Sequence, residues 1–169
     1  MHLVTPTFGT LSLIPSGRAG VVETLKVMSR LVRDGKKNLT IRLAAVSLLR
    51  ECNQKNYSCE VKILHGFVRD FIRYVQDIRD VETIATPEKT LEFAAGDCDD
   101  KAVLLASMLE SIGHPTRFVA IGFAPGVFVH VYVETKIGES WIPLETTEPW
   151  EAGDEPDPQI VLARINFFN

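Results

Sequence analysis

Residues 94–112 constrain the fold of this chain most, because a break at Gly96 is followed at once by a long apolar helical pattern. Asp97 has the capping carboxylate expected just before a helix, and the pattern predicts a helix from Cys98 to Ser111. A thiol in the first turn of a helix faces unpaired backbone N–H groups and the positive end of the helix dipole. The sequence therefore predicts a cysteine nucleophile at a helix N-terminus.

Two further chemical groups follow Cys98 in strand-like segments. His130 lies in the run 128–133, and Glu145 ends the run 141–145. Thiol, imidazole and carboxylate are the three parts of a cysteine-nucleophile triad. Cys98 alone would more simply be a buried structural thiol, and His130 alone a core histidine. Together with Glu145 they favour a catalytic site.

A hairpin between these two runs would bring the histidine and the acid together. With Ile137-Gly138 as a two-residue turn, His130 lies directly opposite Glu145. The other side of the hairpin would then face the core, and it carries Val131, Val133, Ile142 and Leu144. The apolar alternation thus predicts that the imidazole and the carboxylate share one face of the sheet.

The acids around Cys98 oppose ionisation of its thiol. Asp97, Asp99 and Asp100 should raise the pKa of the thiol, whereas the helix terminus and a protonated His130 should lower it. We expect the helix terminus and His130 to prevail.

The rest of the chain predicts helices first and an antiparallel sheet afterwards, which is an α+β layout with the Cys98 helix at the junction. Helical spacing predicts helices over 21–33, from a cap at Thr40 to about 49, over 60–78 and over 87–93, and a strand over 117–123. The third of these helices carries a core stripe of Val61, Leu64, Val68, Phe71, Ile72 and Val75, with His65 off the stripe. We expect His65 and His114 to be structural or solvent-facing.

The chain length of 169 residues predicts a single domain. Its expected parts are an extended arm over 1–18, a helical part over 19–58, a core over 59–150 and a C-terminal tail over 151–169.

Composition predicts an ordinary globular protein, with 46% hydrophobic and 24% charged residues. No apolar stretch is long enough for a membrane span, and the N-terminus lacks a signal-peptide layout, so we expect a cytoplasmic location. Cys52 and Cys59 are then expected to be free thiols. Cysteines and histidines lack zinc-ligand spacing, and we expect neither a metal nor another cofactor.

The net charge of −4 conceals an asymmetry between the two halves of the chain. Residues 1–79 carry 13 basic against 6 acidic side chains, and residues 80–169 carry 5 against 16. We do not expect the basic half to bind nucleic acid, because its charges alternate with apolar residues at helical spacing. A solvated helix face docked on the acidic half is the simpler interpretation.

Three aromatic residues near the predicted strands, Tyr132, Trp141 and Trp150, have two possible roles. They could wall a substrate groove, although packing is the commoner role for such residues.

Several ordered motifs resemble the transglutaminase-like superfamily over about residues 60–150. They are Phe67-Val68-Arg69-Asp70, Gly96-Asp97-Cys98-Asp99-Asp100-Lys101, Ser111-Ile112-Gly113-His114-Pro115, His130-Val131-Tyr132-Val133-Glu134 and Trp141-Ile142-Pro143-Leu144-Glu145. The resemblance implies a papain-like core in which the nucleophile helix packs on an antiparallel sheet. It also implies Cys98 as nucleophile, His130 as general base, and Glu145 at a position usually held by aspartate.

The compact form further resembles stand-alone versions encoded by tailed bacteriophages and prophages. Two functions are therefore expected. The first is an enzyme that acts on amide bonds of a protein or peptide substrate, as a protease or amidase or by acyl transfer to an amine. The alternative is a virion structural protein of a phage tail or head-tail region, which contacts other virion proteins through its N-terminal arm and C-terminal tail.

Overall fold

The computed structural model describes residues 2–6, 12–14, 17–76 and 81–169. The helices in these ranges are α1 (Arg18–Gly35), α2 (Leu39–Leu48), α3 (Tyr57–Phe71), α4 (Pro87–Phe93) and α5 (Cys98–Ser111). The strands are β1 (His2–Pro6), β2 (Ser12–Ile14), β3 (Arg73–Tyr74), β4 (Val81–Ile84), β5 (Ala95–Gly96), β6 (Thr116–Gly122), β7 (His130–Ile137), β8 (Ser140–Leu144) and β9 (Ala163–Phe168). The expected α+β architecture is confirmed.

Helix α5 is the central element of the core. Every residue from Asp99 to Leu109 is buried, and the helix packs against the other helices and against β6 and β7. A helix enclosed on all sides needs apolar residues all round, which explains the dense apolar run after Lys101. The N-terminus of this helix, with Cys98, is thereby fixed against the sheet.

The main sheet has four antiparallel strands in the order β8-β7-β6-β9. Its edge strand β9 pairs with β6 from Arg117↔Phe168 to Gly122↔Ala163. The apolar end of the expected C-terminal tail is therefore a sheet strand. A second sheet joins β1 to β2 and, in parallel, to β4, so residues 2–6 of the expected arm also pair with the rest of the chain. Residues 7–11 and 15–16 of that arm lie outside the described ranges.

The third helix ends earlier than its periodicity predicts. Residue Ile72 has extended backbone, and β3 then pairs in parallel with β5. The predicted core positions Phe71 and Val75 are 70% and 45% exposed. Buried Lys101 donates from Nζ to the carbonyl of Ile72 at 2.9 Å, so a contact distant in sequence satisfies the end of the helix. Residues 77–78 of the prediction lie outside the described ranges.

The predicted N-cap residue is correct for α5 but not for α2. The carboxylate of Asp97 accepts hydrogen bonds from the backbone N–H groups of Asp99 and Asp100, which confirms the predicted cap of α5. The cap of α2 is Asn38 rather than Thr40, since the Asn38 side chain accepts from the N–H of Thr40. An amide two residues earlier thus begins this helix.

The β7–β8 hairpin has a different register from the predicted one. Ile137 pairs with Ser140, so the turn is Gly138-Glu139 instead of Ile137-Gly138. Gly138 has a φ of +61°, and a type II′ hairpin turn requires glycine at this first central position. The resulting slip of two residues leaves every side chain on its predicted face. Val131, Val133 and Leu144 accordingly lie in the core.

Cys52 and Cys59 form a disulfide, which contradicts the expectation of free thiols. The turn between α2 and α3, with Asn56 capping α3, brings their Cα atoms to 5.9 Å, within the usual range for a bridge. Cys98 is the free cysteine of the chain.

Ion pairs join the basic and acidic halves of the chain. Lys36 lies 2.9 Å from Glu110, and Arg69 lies 2.8 Å from Glu151. These contacts fit the expectation of a helical face docked on the acidic half. In the described ranges, no helix combines the length and the apolar character that a membrane crossing demands.

Candidate active site

Cys98 is the first residue of α5, and its thiol lies where that helix meets β7. The residue is half-buried, and its Sγ is 3.6 Å from Asp99 Oδ1. The backbone N–H of Val131, the second residue of β7, donates to the same sulfur. The thiol is therefore placed beside the residue that follows His130.

The thiol is strongly biased toward its neutral form. Burial raises the pKa of Cys98 well above its ordinary value, and the charges of Asp99 and Asp97 raise it further. The hydrogen bond from Val131 lowers the pKa, but less than these effects raise it. The expectation that the helix terminus and histidine would prevail is therefore wrong for the resting state, because desolvation and two nearby carboxylates disfavour the thiolate.

His130 and Glu145 are joined directly. The Nε2 atom of His130 lies 2.5 Å from Glu145 Oε2, and Glu145 is almost fully buried. The other carboxylate oxygen accepts from the N–H of Thr147 at 2.6 Å and from its hydroxyl at 2.7 Å. Burial raises the pKa of Glu145, but the bonds from His130 and Thr147 outweigh it, so the pKa is lowered overall. The group is consequently a carboxylate at neutral pH.

The bond to the carboxylate fixes the histidine tautomer. An ionised Glu145 can only accept, so Nε2 of His130 carries the proton and Nδ1 has the free lone pair. The hydrogen bonds of the described residues include none between the Cys98 thiol and this ring. The structure thus joins two of the three predicted residues directly and sets the third against the strand that carries His130.

A buried histidine of α3 is hydrogen-bonded to the backbone of Glu145. His65 is 1% exposed, and its Nε2 lies 2.5 Å from the backbone carbonyl of Glu145. Burial lowers the pKa of His65, partly offset by that hydrogen bond, so the ring is neutral and donates from Nε2. The buried residues of α3 are Val61, Leu64, His65 and Val68, with spacing i, i+3, i+4, i+7. The expectation that His65 lies off the core stripe is therefore wrong, and this spacing is the sequence signal that could have placed it in the core.

Lys101 is a second buried group next to the site. It is 2% exposed and lies one helical turn after Cys98. Its Nζ donates to the carbonyls of Ile72 at 2.9 Å and Arg69 at 3.3 Å. Burial lowers the pKa of Lys101, whereas the charge of Glu145 raises it. Lys101 therefore links the end of α3 to the nucleophile helix.

The three aromatic residues do not form one groove. Trp141 pairs with Lys136, six residues along β7 from His130 and thus about 20 Å away. Its ring packs on Phe168, beneath the Arg117 guanidinium. Trp141 therefore packs at the far end of the hairpin and does not wall a groove beside His130.

Of the other two aromatic residues, Tyr132 contacts a site residue and Trp150 contacts α3. The Tyr132 ring stacks against the His130 ring with a centroid separation of 6.4 Å, and its hydroxyl donates to Glu155. The carbonyl of Trp150 accepts from Arg69 of α3 at 2.6 Å. Both hydrogen bonds join separate segments of the fold. Within the ranges that the structure covers, no three His, Cys, Asp or Glu side chains are grouped to hold a metal ion.

The central helix packed on an antiparallel sheet defines a papain-like fold, and comparison with known proteins identifies the family. The family model described as the transglutaminase-like superfamily matches residues 46–146, which is more than half of the chain. The chain belongs to this superfamily. The expected resemblance is thereby confirmed, whereas its phage-encoded form stays a prediction.

The individual proteins that resemble this chain either have low sequence identity to it or are much longer than it. Dynein regulatory complex subunit 7 of Chlamydomonas reinhardtii is 42% identical over 66 residues, which are 37% of this chain and 6% of that protein. A presumed protease from Parabacteroides distasonis has a TM-score of 0.61 at 14% identity, over 83% of this chain and 31% of that one. LapG of Legionella pneumophila, treated with EGTA, has a TM-score of 0.57 at 14% identity, over 83% and 84% of the two chains. These structures share the fold, and this chain spans only a small part of the first two proteins.

Proposed function

We propose that this protein is a cysteine-nucleophile enzyme that acts on amide bonds, with Cys98 as nucleophile, His130 as general base and Glu145 as the group that orients the imidazole. The hydrogen bond between His130 Nε2 and Glu145 carries this proposal, because it holds the ring in the tautomer whose Nδ1 can take a proton. The contact of the Cys98 thiol with the backbone of Val131 supports it. Membership of the superfamily supports it independently.

The raised pKa of Cys98 favours a neutral thiol–imidazole pair at rest. Sγ forms its bond to the amide carbon while Nδ1 of His130 takes the thiol proton, and Glu145 stabilises the imidazolium. The C–N bond then breaks, and His130 returns the proton to the leaving amine. Water, activated by the same ring, releases the acyl group as a carboxylic acid and regenerates the thiol.

The start of α5 can offer little to the oxyanion. Asp97 already occupies the N–H groups of Asp99 and Asp100. Of the first-turn amides, that of Cys98 is therefore the one we assign to the developing negative charge.

An amine could replace water as the acyl acceptor, which would make the protein a cross-linking enzyme. We take hydrolysis as the primary reaction. The substrate is then a protein or peptide, and none of the proposed steps requires a metal ion.

Acylation by p-nitrophenyl acetate tests this function. The wild-type protein should release a burst of about one p-nitrophenol per chain, with an acetyl group on Cys98 detected by mass spectrometry. Cys98→Ala should abolish the burst, and His130→Ala should slow it by about 10²-fold or more. Adding dansylcadaverine after the burst distinguishes transfer to an amine from hydrolysis by the mass of the product.

Lys136→Ala provides the matched control, because Lys136 lies on the same strand as His130 but about 20 Å away. Its burst should equal that of the wild type. A burst that persists in Cys98→Ala, or that is equally fast in His130→Ala, would overturn the proposed roles.

The alternative role as a phage virion protein stays a prediction from resemblance. The arm that suggested it contributes β1 and β2 to one sheet, and the tail contributes β9 to the four-stranded sheet. These contacts are internal to the chain, so they do not favour assembly contacts over an ordinary fold. The cytoplasmic location and the virion partners likewise remain predictions.

A further inference from the structure

Large apolar side chains are exposed on two segments that border the proposed nucleophile. Tyr74 and Val75, just after α3, are 49% and 45% exposed. Val127 and Val129, just before β7, are 52% and 60% exposed. Exposed apolar groups gathered beside a reactive centre commonly mark a ligand surface.

The first segment is attached to the chain that leads into Cys98. Tyr74 is the register partner of Gly96, and the N–H of Val75 donates to the Gly96 carbonyl at 3.0 Å. Gly96 precedes Cys98 by two residues. Neighbouring strands lie about 4.8 Å apart, so Val75 is within about 10–12 Å of the nucleophile.

The second segment is attached to the strand that carries His130. The N–H of Val129 donates to the carbonyl of Ile121 at 2.9 Å, and Ile121 is also the register partner of His130. The backbone of Val129 is therefore held against β6 directly before β7 begins. Val129 directly precedes His130 and lies two residues before Val131, whose backbone contacts the thiol. The Val129 side chain is exposed at this position, next to the base proposed for the reaction.

The loop before Val129 is held closely against the sheet. A Cβ atom on Gly122 would lie 1.5 Å from the Val127 carbonyl oxygen, so this approach requires glycine. The exposed apolar side chains are therefore carried by two backbone segments that hydrogen bonds fix close to the proposed nucleophile and base.

We infer that the amide bond acted upon is flanked by large apolar side chains of an extended polypeptide, which contact Val75 on one side and Val129 on the other. This inference rests on the proposed function. Covering these exposed side chains removes apolar area from water, which favours apolar residues over glycine or charged residues. The continuity of both segments with the proposed nucleophile and base identifies a substrate as the occupant.

A set of N-acetyl amino acid p-nitrophenyl esters tests the acyl side of this preference. Acylation of Cys98 should be at least tenfold faster with phenylalanyl and leucyl esters than with glycyl, aspartyl and lysyl esters, after subtraction of spontaneous hydrolysis. Val129→Ser and Val75→Ser should each be made, and at least one should reduce the phenylalanyl-to-glycyl ratio about fivefold or more.

Leu43→Ser is the matched control, because Leu43 is 58% exposed on α2, outside both segments. It should leave both the burst and the ratio unchanged. Equal acylation by all the esters, or a ratio unaffected in both Val75→Ser and Val129→Ser, would overturn the inference while leaving the proposed chemistry intact. Absence of any Cys98-dependent acylation in the wild type would instead overturn the proposed function.

Discussion

Glu145 reaches His130 diagonally across the β7–β8 hairpin, because the observed register does not place the two residues directly opposite each other. Val133 pairs with Leu144, so this register would place His130 opposite residue 147. The two side chains nevertheless meet at 2.5 Å. The extra methylene of glutamate, relative to the aspartate usual at this position in the family, provides reach for this diagonal contact.

The length of the Glu145 side chain should therefore matter. We expect Glu145→Asp to slow acylation about tenfold or more, because a shorter carboxylate cannot hold both His130 and Thr147. Glu145→Gln should slow it by about 10²-fold, since an amide does not stabilise the imidazolium. Burst kinetics with p-nitrophenyl acetate measure both effects. An unimpaired Glu145→Asp variant would show that the diagonal contact does not require glutamate.

The neutral resting thiol has a direct chemical signature. Iodoacetamide should alkylate Cys98 with an apparent pKa above the value of about 8.5 for free cysteine, because burial and the charges of Asp99 and Asp97 disfavour the thiolate. Asp99→Asn should lower this apparent pKa, and Asp34→Asn, at an exposed position on α1, should not. Rates measured against pH with mass spectrometry at Cys98 provide the test. A value well below 8.5 that disappears in His130→Ala would instead indicate a thiolate–imidazolium pair.

His65 should make folding stability sensitive to acid. Burial lowers the pKa of His65 in the folded state, so the unfolded chain binds a proton more readily and stability falls as pH drops below about 6.5. The charged and titratable groups acting on this ring are Arg69, Glu145 and Glu151. Urea unfolding at pH 7.5 and 5.5 should show a smaller loss of unfolding free energy in His65→Gln than in the wild type.

A second substitution at the same position separates the effect of the His65 hydrogen bond on stability from the effect of His65 protonation. His65→Leu removes the hydrogen bond to the Glu145 carbonyl and should destabilise the protein by about 1–3 kcal/mol at pH 7.5. Identical pH dependence in the wild type and His65→Gln would contradict the role of the histidine.

Two glycines should respond oppositely to alanine. Gly122→Ala places a Cβ atom against the Val127 carbonyl and should cost about 1–3 kcal/mol of unfolding free energy, while displacing the loop before His130. Gly66→Ala has open space around the new atom within α3 and should stabilise by about 0.5–1 kcal/mol. Thermal unfolding of both variants measures the difference. Similar effects of the two changes would contradict the close approach at Gly122.

The disulfide between Cys52 and Cys59 should stabilise the fold without affecting the reactivity of Cys98. Cys52→Ala with Cys59→Ala should reduce unfolding free energy by about 2 kcal/mol, because the bridge restricts the unfolded chain. Acylation of Cys98 should remain unchanged in this double variant. Free thiol titration of the unreduced wild type should count one thiol per chain, and a count of three would show that the bridge is absent.

Local signals in the sequence predicted much of the site. Asp97 and the apolar run after it specified where α5 begins, because a capping carboxylate and helical spacing act over a few residues. The alternation of β7 placed His130 and Glu145 on one face, and a register slip of two residues preserved that result. The family resemblance independently implied the same three residues and their roles.

Contacts between distant segments decided the rest. The end of α3, which depends on Lys101 and β5, could not be read from its own periodicity. The expected ionisation of the Cys98 thiol was wrong, because the pKa of the thiol depends on the groups that the folded chain packs around it. The sequence by itself determined which groups were candidates for the site and that His130 and Glu145 lie on one face of the sheet. Only the tertiary structure determined their register, their burial and the charge of the thiol, since these properties arise when separate segments pack together.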